Sequence, residues 1–424
     1  MFLFLVRHFN DIDHITPVAW KMKSDNFQVG VYCMNPRYDV WNDYRLCFLK
    51  NQGVAVDYLH NAFDRHRGQF HQILNRLVQT SYGVQQRFNA QDRKQSLIWA
   101  GLGGRLAGFA GSLFYKLTRR LFYNTRWARS ILEQTGARAI CFDYVMPSLY
   151  VVDAFLKAAK EMSIPSLALP HGVYLYTNEG AKPKATDTRR FAKFNRFDHI
   201  IIPNQLRKEI LVGSGVAEEK MVVLGSARYC SEWLEQHKKI VPRVLESKHQ
   251  EPQKLKVVLM ASKPQARMDV DRMADTLDML AELDEIDVLI KPHTRAAGSQ
   301  NLFDDMQLPN ASHVLTAELC EWADVLLVVG SSVVTEALMR GKAALYLRYL
   351  HSNTTLFEAL GACWIIHDEI ELKNALLSLQ ANRTDVPYKK ESVAEFLSEV
   401  VYGGGSPRDI LHEYEQFIAG CASN

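Results

Sequence analysis

Short apolar runs alternate with helix-like segments along most of the chain. That pattern restricts the fold to parallel βα units, because parallel strands need a crossover and a helix supplies it. In the first half the runs fall at 2–6, 28–33, 139–142, 166–169, 199–202 and 221–224, predicting one sheet. A polar stretch with Pro242 and Pro252, 234–254, reads as a linker. A second series at 256–260, 288–290, 313–315, 325–329 and 344–347 predicts a second sheet. With 424 residues the chain is too long for one ordinary core and suits two α/β domains, which implies a cleft. The expected layout is a first domain over 1–235 with a helical basic insert at 65–135. A second domain over 255–400 follows, with a C-terminal helix in 401–424 that crosses back.

The near balance of 50 Lys+Arg against 47 Asp+Glu argues against nucleic acid as a partner. Charge is informative only locally. The stretch 93–132 holds eight basic residues, no acid, and interleaved aromatics such as Trp99, Tyr115 and Trp127. It reads either as a segment lying on an anionic bilayer or as a core helix pair with a solvated basic edge. Seven scattered cysteines, none in a CxxC pair, read as reduced cytosolic thiols. The apolar opening FLFLV is too short for a signal peptide and reads as a buried strand. The expected location is therefore the cytoplasm, with peripheral association at the inner membrane.

The strongest local signal is WADVLLVVGSSVVTEALMRGKAALYL, at 322–347. A buried strand ends in Gly330-Ser331-Ser332 and a helix starts there with Glu336 one turn in. Exposed amides and hydroxyls at such a turn suit a phosphate, and Glu336 is placed to accept ribose hydroxyls. A serine that merely caps the helix is the competing reading. The second signal is LIKPHTR, where a strand delivers Lys291, His293 and Arg295 to its carboxyl end, the side on which open α/β sheets bind ligands.

KPH together with GSSVVTEAL resembles the HP and Ser-Ser motifs of bacterial GT-B transferases that use CMP-sugars, with Thr294 in the place of Pro. With LPHGVYLYTNE, GSARYCSEW and SKPQARMDVD added, the chain is most similar to the retaining β-Kdo transferases of lipopolysaccharide and capsule synthesis. These motifs span roughly 165–350. The resemblance implies an α/β GT-B fold, two Rossmann-like βα domains facing a central cleft. It implies transfer of Kdo from CMP-Kdo to a lipid-linked O-antigen or capsule acceptor, with the donor phosphate on His293, Ser331 and Ser332. It further implies a covalent adduct on a carboxylate, here Asp269 or second Asp271. His171 and Glu179 would serve as acid/base, and Lys263, Arg267 and Arg228 would hold the donor carboxylate.

Asp11-Ile12-Asp13 and Asp269-Val270-Asp271 match DxD, but two such matches are about what chance gives in a chain this rich in Asp. No metal or other cofactor is expected. Asp13 and His14 are weak candidates for acceptor contact, helix capping being the better expectation for them. Two other functions stay open: a CDP-glycerol or CDP-ribitol phosphotransferase, and a UDP-sugar 2-epimerase-like enzyme of the same two-domain fold.

Overall fold

The computed structural model describes residues 1–35, 38–64, 123–144, 147, 151–177, 191–245, 253–261, 269–292 and 308–423. Seven parallel strands form the first sheet: β1 (Phe2–Val6), β2 (Val29–Cys33), β3 (Ala55–Tyr58), β4 (Ala139–Asp143), β5 (Ser166–Leu169), β6 (His199–Ile202) and β7 (Met221–Val223). Their order is β3-β2-β1-β4-β5-β6-β7. The strands read as continuous apolar runs because helices cover both faces. Alternate residues of β1 separate accordingly: Phe2, Phe4 and Val6 enter one core layer, Leu3 and Leu5 the other. The first layer receives α1 (Phe9–Ser24) and α2 (Tyr44–Asn51). The second receives α3 (Leu59–Asp64), α4 (Thr125–Thr135) and α5 (Val152–Glu161), and also Leu211 of α6 (Gln205–Gly213). Trp233 of α7 (Ser231–Ile240) packs into the first layer.

The second sheet has five parallel strands: β8 (Leu255–Met260), β9 (Ile286–Lys291), β10 (Val325–Val328), β11 (Ala343–Leu347) and β12 (Trp364–Ile366), in the order β12-β11-β10-β8-β9. Its helices are α8 (Val270–Ala281), α9 (Thr316–Trp322), α10 (Val333–Met339), α11 (Leu356–Ala359), α12 (Glu369–Ala381) and α13 (Lys390–Tyr402). A last helix, α14 (Ile410–Cys421), leaves this unit and lies on α1, so that Ile410, Leu411, Tyr414 and Ile418 are buried in the first core.

Three expectations need correction. Residues 313–315 form no strand; 312–313 turn and 315 precedes α9, while Asn310 makes the isolated bridge to Ile290. The polar stretch from 234 is helical as far as Ile240, because Trp233, Leu234 and His237 bury one face of α7 and carry its polar residues with them. Strands β3 and β12 were not anticipated; both are short edge strands with partly exposed residues, so neither shows a long apolar run. Most of the basic stretch 93–132 lies outside the described residues. At its described end Tyr123 and Trp127 are buried in the core and Arg129 pairs with Glu161, which favours the core reading there. Among the described residues no helix is long and apolar enough to cross a membrane.

Candidate functional site

In each sheet the first strand in sequence has neighbours whose crossovers run in opposite directions, and ligands of α/β sheets bind in the crevice this opens at the strands' carboxyl ends. In the first sheet the crevice lies between β1 and β4. The chain leaves β1 at Arg7, and Asp11 returns from the first turn of α1 to take the Arg7 backbone N–H at 2.8 Å and its Nε at 2.8 Å. The same guanidinium reaches Asp143, the last residue of β4. His171, just past β5, sets Nδ1 2.9 Å from one Asp143 oxygen and 3.6 Å from Asp11. His8 Nδ1 stands 3.0 Å from Asp11 on the other side.

Both carboxylates are almost completely buried. Burial works against the charge on Asp11, but hydrogen bonds to His171 and His8 and the Arg7 guanidinium outweigh it and hold Asp11 well below the usual range. Asp143 cannot ionise as readily: burial and the neighbouring Asp11 charge push it up to about 6. Burial opposes the charge on His171, yet its hydrogen bonds and charge contacts with the two carboxylates raise it to about 9. The cluster thus combines a permanent carboxylate, a carboxylate poised near neutrality and a protonated imidazole. Such a combination can take a proton at one atom and deliver one at another. Asp11, Asp143 and His171 also have the mutual spacing of metal ligands. Arg7 already supplies a cation between the two carboxylates.

The two carboxylates of Asp11-Ile12-Asp13 serve different groups. Asp13, one residue past the turn that carries Asp11, faces Arg45 and takes Arg228 Nη1 at 3.0 Å. Arg45 also pairs with Asp43. Asp13 and His14 lie inside α1 and are buried, so neither caps the helix as expected; His8 stands at the N-cap position. Burial and the Arg228 charge push His14 down to about 3, keeping it neutral. Arg228, expected at a donor carboxylate, is engaged with Asp13.

On the second sheet, Gly330-Ser331-Ser332 follows β10 as the motif predicts. Gly330 has φ +64°, and its carbonyl accepts the Tyr176 hydroxyl at 2.9 Å. Ser331 Oγ accepts the Val333 N–H at 3.4 Å. Glu336 is buried and paired with Arg340 at 3.0 Å, and its charge also acts on Arg228. The Lys291 ammonium donates to the carbonyls of Ser312 and Val314, at 2.7 and 2.5 Å, and so anchors the 311–314 loop; burial lowers it to about 8. Asp269 is exposed and accepts the Arg272 N–H as N-cap of α8, lining a pocket with Arg272, Arg348, His351 and His367. Asp271 is exposed in the first turn of that helix. His293, Arg295, Glu179, Lys263 and Arg267 lie outside the described residues.

The two edges meet. The strip 173–177, which continues from His171, buries Leu175 in the second core, packs the half-buried Val173 against it and forms an antiparallel bridge from Tyr176 to Thr355. Tyr176 also stacks on His351, with ring centroids 5.6 Å apart. Sequence reasoning missed Arg7, Asp143 and Tyr176, and it set Asp11 aside as part of a chance DxD match. The acid ending the buried run AICFD was a visible signal for Asp143.

No protein-family model matches the chain, and no curated protein is detectably similar in sequence. Solved structures do align over its length. UDP-GlcNAc 2-epimerase from Neisseria meningitidis bound to UDP-GlcNAc superposes with a TM-score of 0.54 at 12% identity, covering 98% of this chain and 99% of that one. A glycosyltransferase from Rickettsia africae gives 0.53 at 11%, covering 100% and 99%. The chain has the GT-B fold. Anabaena HepE in complex with UDP-glucose shares it as well, at 0.53 and 11%, covering 100% and 99%. At these identities the likeness is one of architecture: two parallel-sheet Rossmann-like units, each with its crevice at the strands' carboxyl ends.

Proposed function

We propose that this GT-B protein acts on a nucleotide sugar, with UDP-sugar 2-epimerase chemistry as the favoured reaction. The observation that carries the reading is the buried Asp11–Asp143–His171 cluster with its split proton affinities, placed at the crevice of the first sheet. Several of the architectural neighbours bind UDP or UDP-sugars. A hydrogen at C2 of a pyranose is not acidic, so inverting that centre needs a leaving group at C1. Asp143 takes the C2 proton, the C1–O bond electrons depart with the nucleoside diphosphate, and a C1–C2 double bond forms. Because Asp143 and His171 touch, both lie on one side of the ring, so the freed glycal turns its other face to His171, takes its proton at C2 and adds the diphosphate back at C1 to give the epimer; the proton on Asp143 then passes to His171 and resets the pair. The nucleotide is assigned to the second sheet, around Gly330-Ser331-Ser332 and Lys291-Pro292-His293.

Glycosyl transfer is the second reading. Asp269 favours it, lying on the second sheet's carboxyl side in a pocket with Arg272, Arg348 and His351. There CMP-Kdo would be the donor, a lipid-linked glycan the acceptor and Asp269 the nucleophile.

One experiment separates the two. UDP-GlcNAc and CMP-Kdo are each incubated with the protein in D2O containing EDTA, followed by NMR of the sugar and by intact-protein mass. Deuterium entering C2 of UDP-GlcNAc is expected. No exchange, together with a one-sugar mass increase mapped to residues 262–271 after CMP-Kdo, would replace the epimerase reading with transfer. Exchange that appears only when magnesium or manganese is restored would assign Asp11, Asp143 and His171 to a metal.

A further inference from the structure

Beside the carboxylate cluster, the carboxyl ends of β5 and β6 and the start of α6 enclose a half-open pocket of about 210 Å³. His171 lines it, and so do Tyr144, Tyr174 and Arg207. The Arg207 guanidinium lies over both tyrosine rings, 5.6 Å from the Tyr144 centroid and 5.1 Å from that of Tyr174. Asn204 caps α6 by accepting the Arg207 N–H at 3.0 Å and donates its amide to the Tyr174 carbonyl at 3.1 Å, fixing the arginine and one ring together. Among the described residues no carboxylate pairs with Arg207. The Tyr144 hydroxyl is buried without a hydrogen-bond partner, although Phe194 stacks on the ring at 3.9 Å and holds it in place.

These features describe a binding site and not a structural ion pair. A guanidinium lying over two rings is fixed in orientation, and its N–H groups form a fork that matches a carboxylate. The Tyr174 ring offers an aromatic surface to the C–H side of a pyranose, and an unpartnered buried hydroxyl such as that of Tyr144 costs free energy that a ligand oxygen can recover. Of the cations expected at a donor carboxylate, Arg228 lies among the described residues and is already paired with Asp13.

We infer that this pocket holds the sugar of the substrate, and that the sugar carries a carboxylate bound by Arg207 between Tyr144 and Tyr174. The inference rests on the nucleotide-sugar reading and narrows it to acidic sugars: uronic where the reaction is 2-epimerisation, and ulosonic only where it is transfer, because C2 of a ulosonic acid carries no hydrogen to remove. His171 in the pocket wall then faces the same sugar.

The test is calorimetric binding to the full chain of probe pairs that differ only in the carboxylate: UDP-glucuronate against UDP-glucose, and CMP-N-acetylneuraminate against its methyl ester. UDP and CMP alone serve as controls. The acid of at least one pair should bind about tenfold or more tighter, as a charge-assisted bidentate contact does. Arg207→Gln should abolish the preference, and Arg207→Lys, which keeps charge but not the fork, should retain part of it. Both variants should bind the bare nucleotide as the parent does, which also reports that they are folded. Equal affinity within both pairs, or a preference that survives Arg207→Gln, overturns the inference and leaves the nucleotide-sugar reading standing. Failure of the parent to bind any nucleotide or nucleotide sugar removes both.

Discussion

Asp143 and His171 touch each other and both are raised, with opposite effects on charge: burial and then the Asp11 carboxylate disfavour the Asp143 anion, whereas hydrogen bonds and charge contacts with the two carboxylates outweigh burial and favour the His171 cation. With Asp143 as base and His171 as acid, the working form has Asp143 ionised, above about 6, and His171 protonated, below about 9. A plot of kcat/KM against pH should therefore be a bell whose limbs lie near those two values. Asp143→Asn should lower kcat/KM by about 10²- to 10⁴-fold, the usual contribution of a positioned base, and erase the acid limb. A profile flat from pH 5 to about 10 would remove both residues from proton transfer. His14, close in sequence, has no such part: buried and neutral, it packs within the polar layer that Asp13, Arg45 and Arg228 form.

Among the elements, the strip after β5 matters most, because it begins beside the buried carboxylates of one unit and ends as structure in the other. His171 belongs to the first sheet's crevice, whereas six residues later the Thr177 N–H donates to the Thr354 carbonyl at 3.0 Å. Tyr176 ties this strip to the Gly330 turn, and both rest on the His351 ring. Gly330 is essential to that packing, since a Cβ there would meet the His351 ring at 2.7 Å and the backbone is left-handed. Gly330→Ala should destabilise the protein by about 1–3 kcal/mol through overpacking and backbone strain, read as a lower urea midpoint at constant m-value. It should also weaken nucleotide binding, because the turn cannot move without its neighbours. An unchanged midpoint would mean that the ring yields freely and that the strip is not a brace.

For the molecule as a whole, the C-terminal segment decides how the two units are held. Helix α13 packs on α10 of the second unit, and α14 returns to α1 of the first. The last turn of α13 passes so close to Gly225 that a Cβ there would lie 2.2 Å from the Val401 carbonyl oxygen. The Tyr414 hydroxyl donates to the Gly225 carbonyl at 2.8 Å. Removing apolar volume from α14 should therefore act on the first core. Ile418→Ala should cost about 2–5 kcal/mol, the range for deleting a buried aliphatic side chain, measured by urea unfolding. A loss below about 0.5 kcal/mol, typical of surface changes, would show that α14 contributes no core.

Most of the strands were legible because each is buried on two faces and its apolar run is a local property; 166–169 and 199–202 are read from the sequence with the ends the structure gives them. The GSS turn was legible for the same reason, since a strand, a glycine with positive φ and a helix are consecutive in the chain. What local pattern could not supply is partnership across distance. Arg7 and Asp143 are 136 positions apart, and Tyr176 and Gly330 are 154 apart. The order β1-β4-β5 places Arg7, Asp143 and His171 together, and strand order leaves no periodicity in a sequence. The sequence by itself determined two parallel α/β units and the turns that end their strands. Only the tertiary structure decided which carboxylates gather around His171 and which pair with arginines alone, because desolvation and pairing arise when distant segments are packed together.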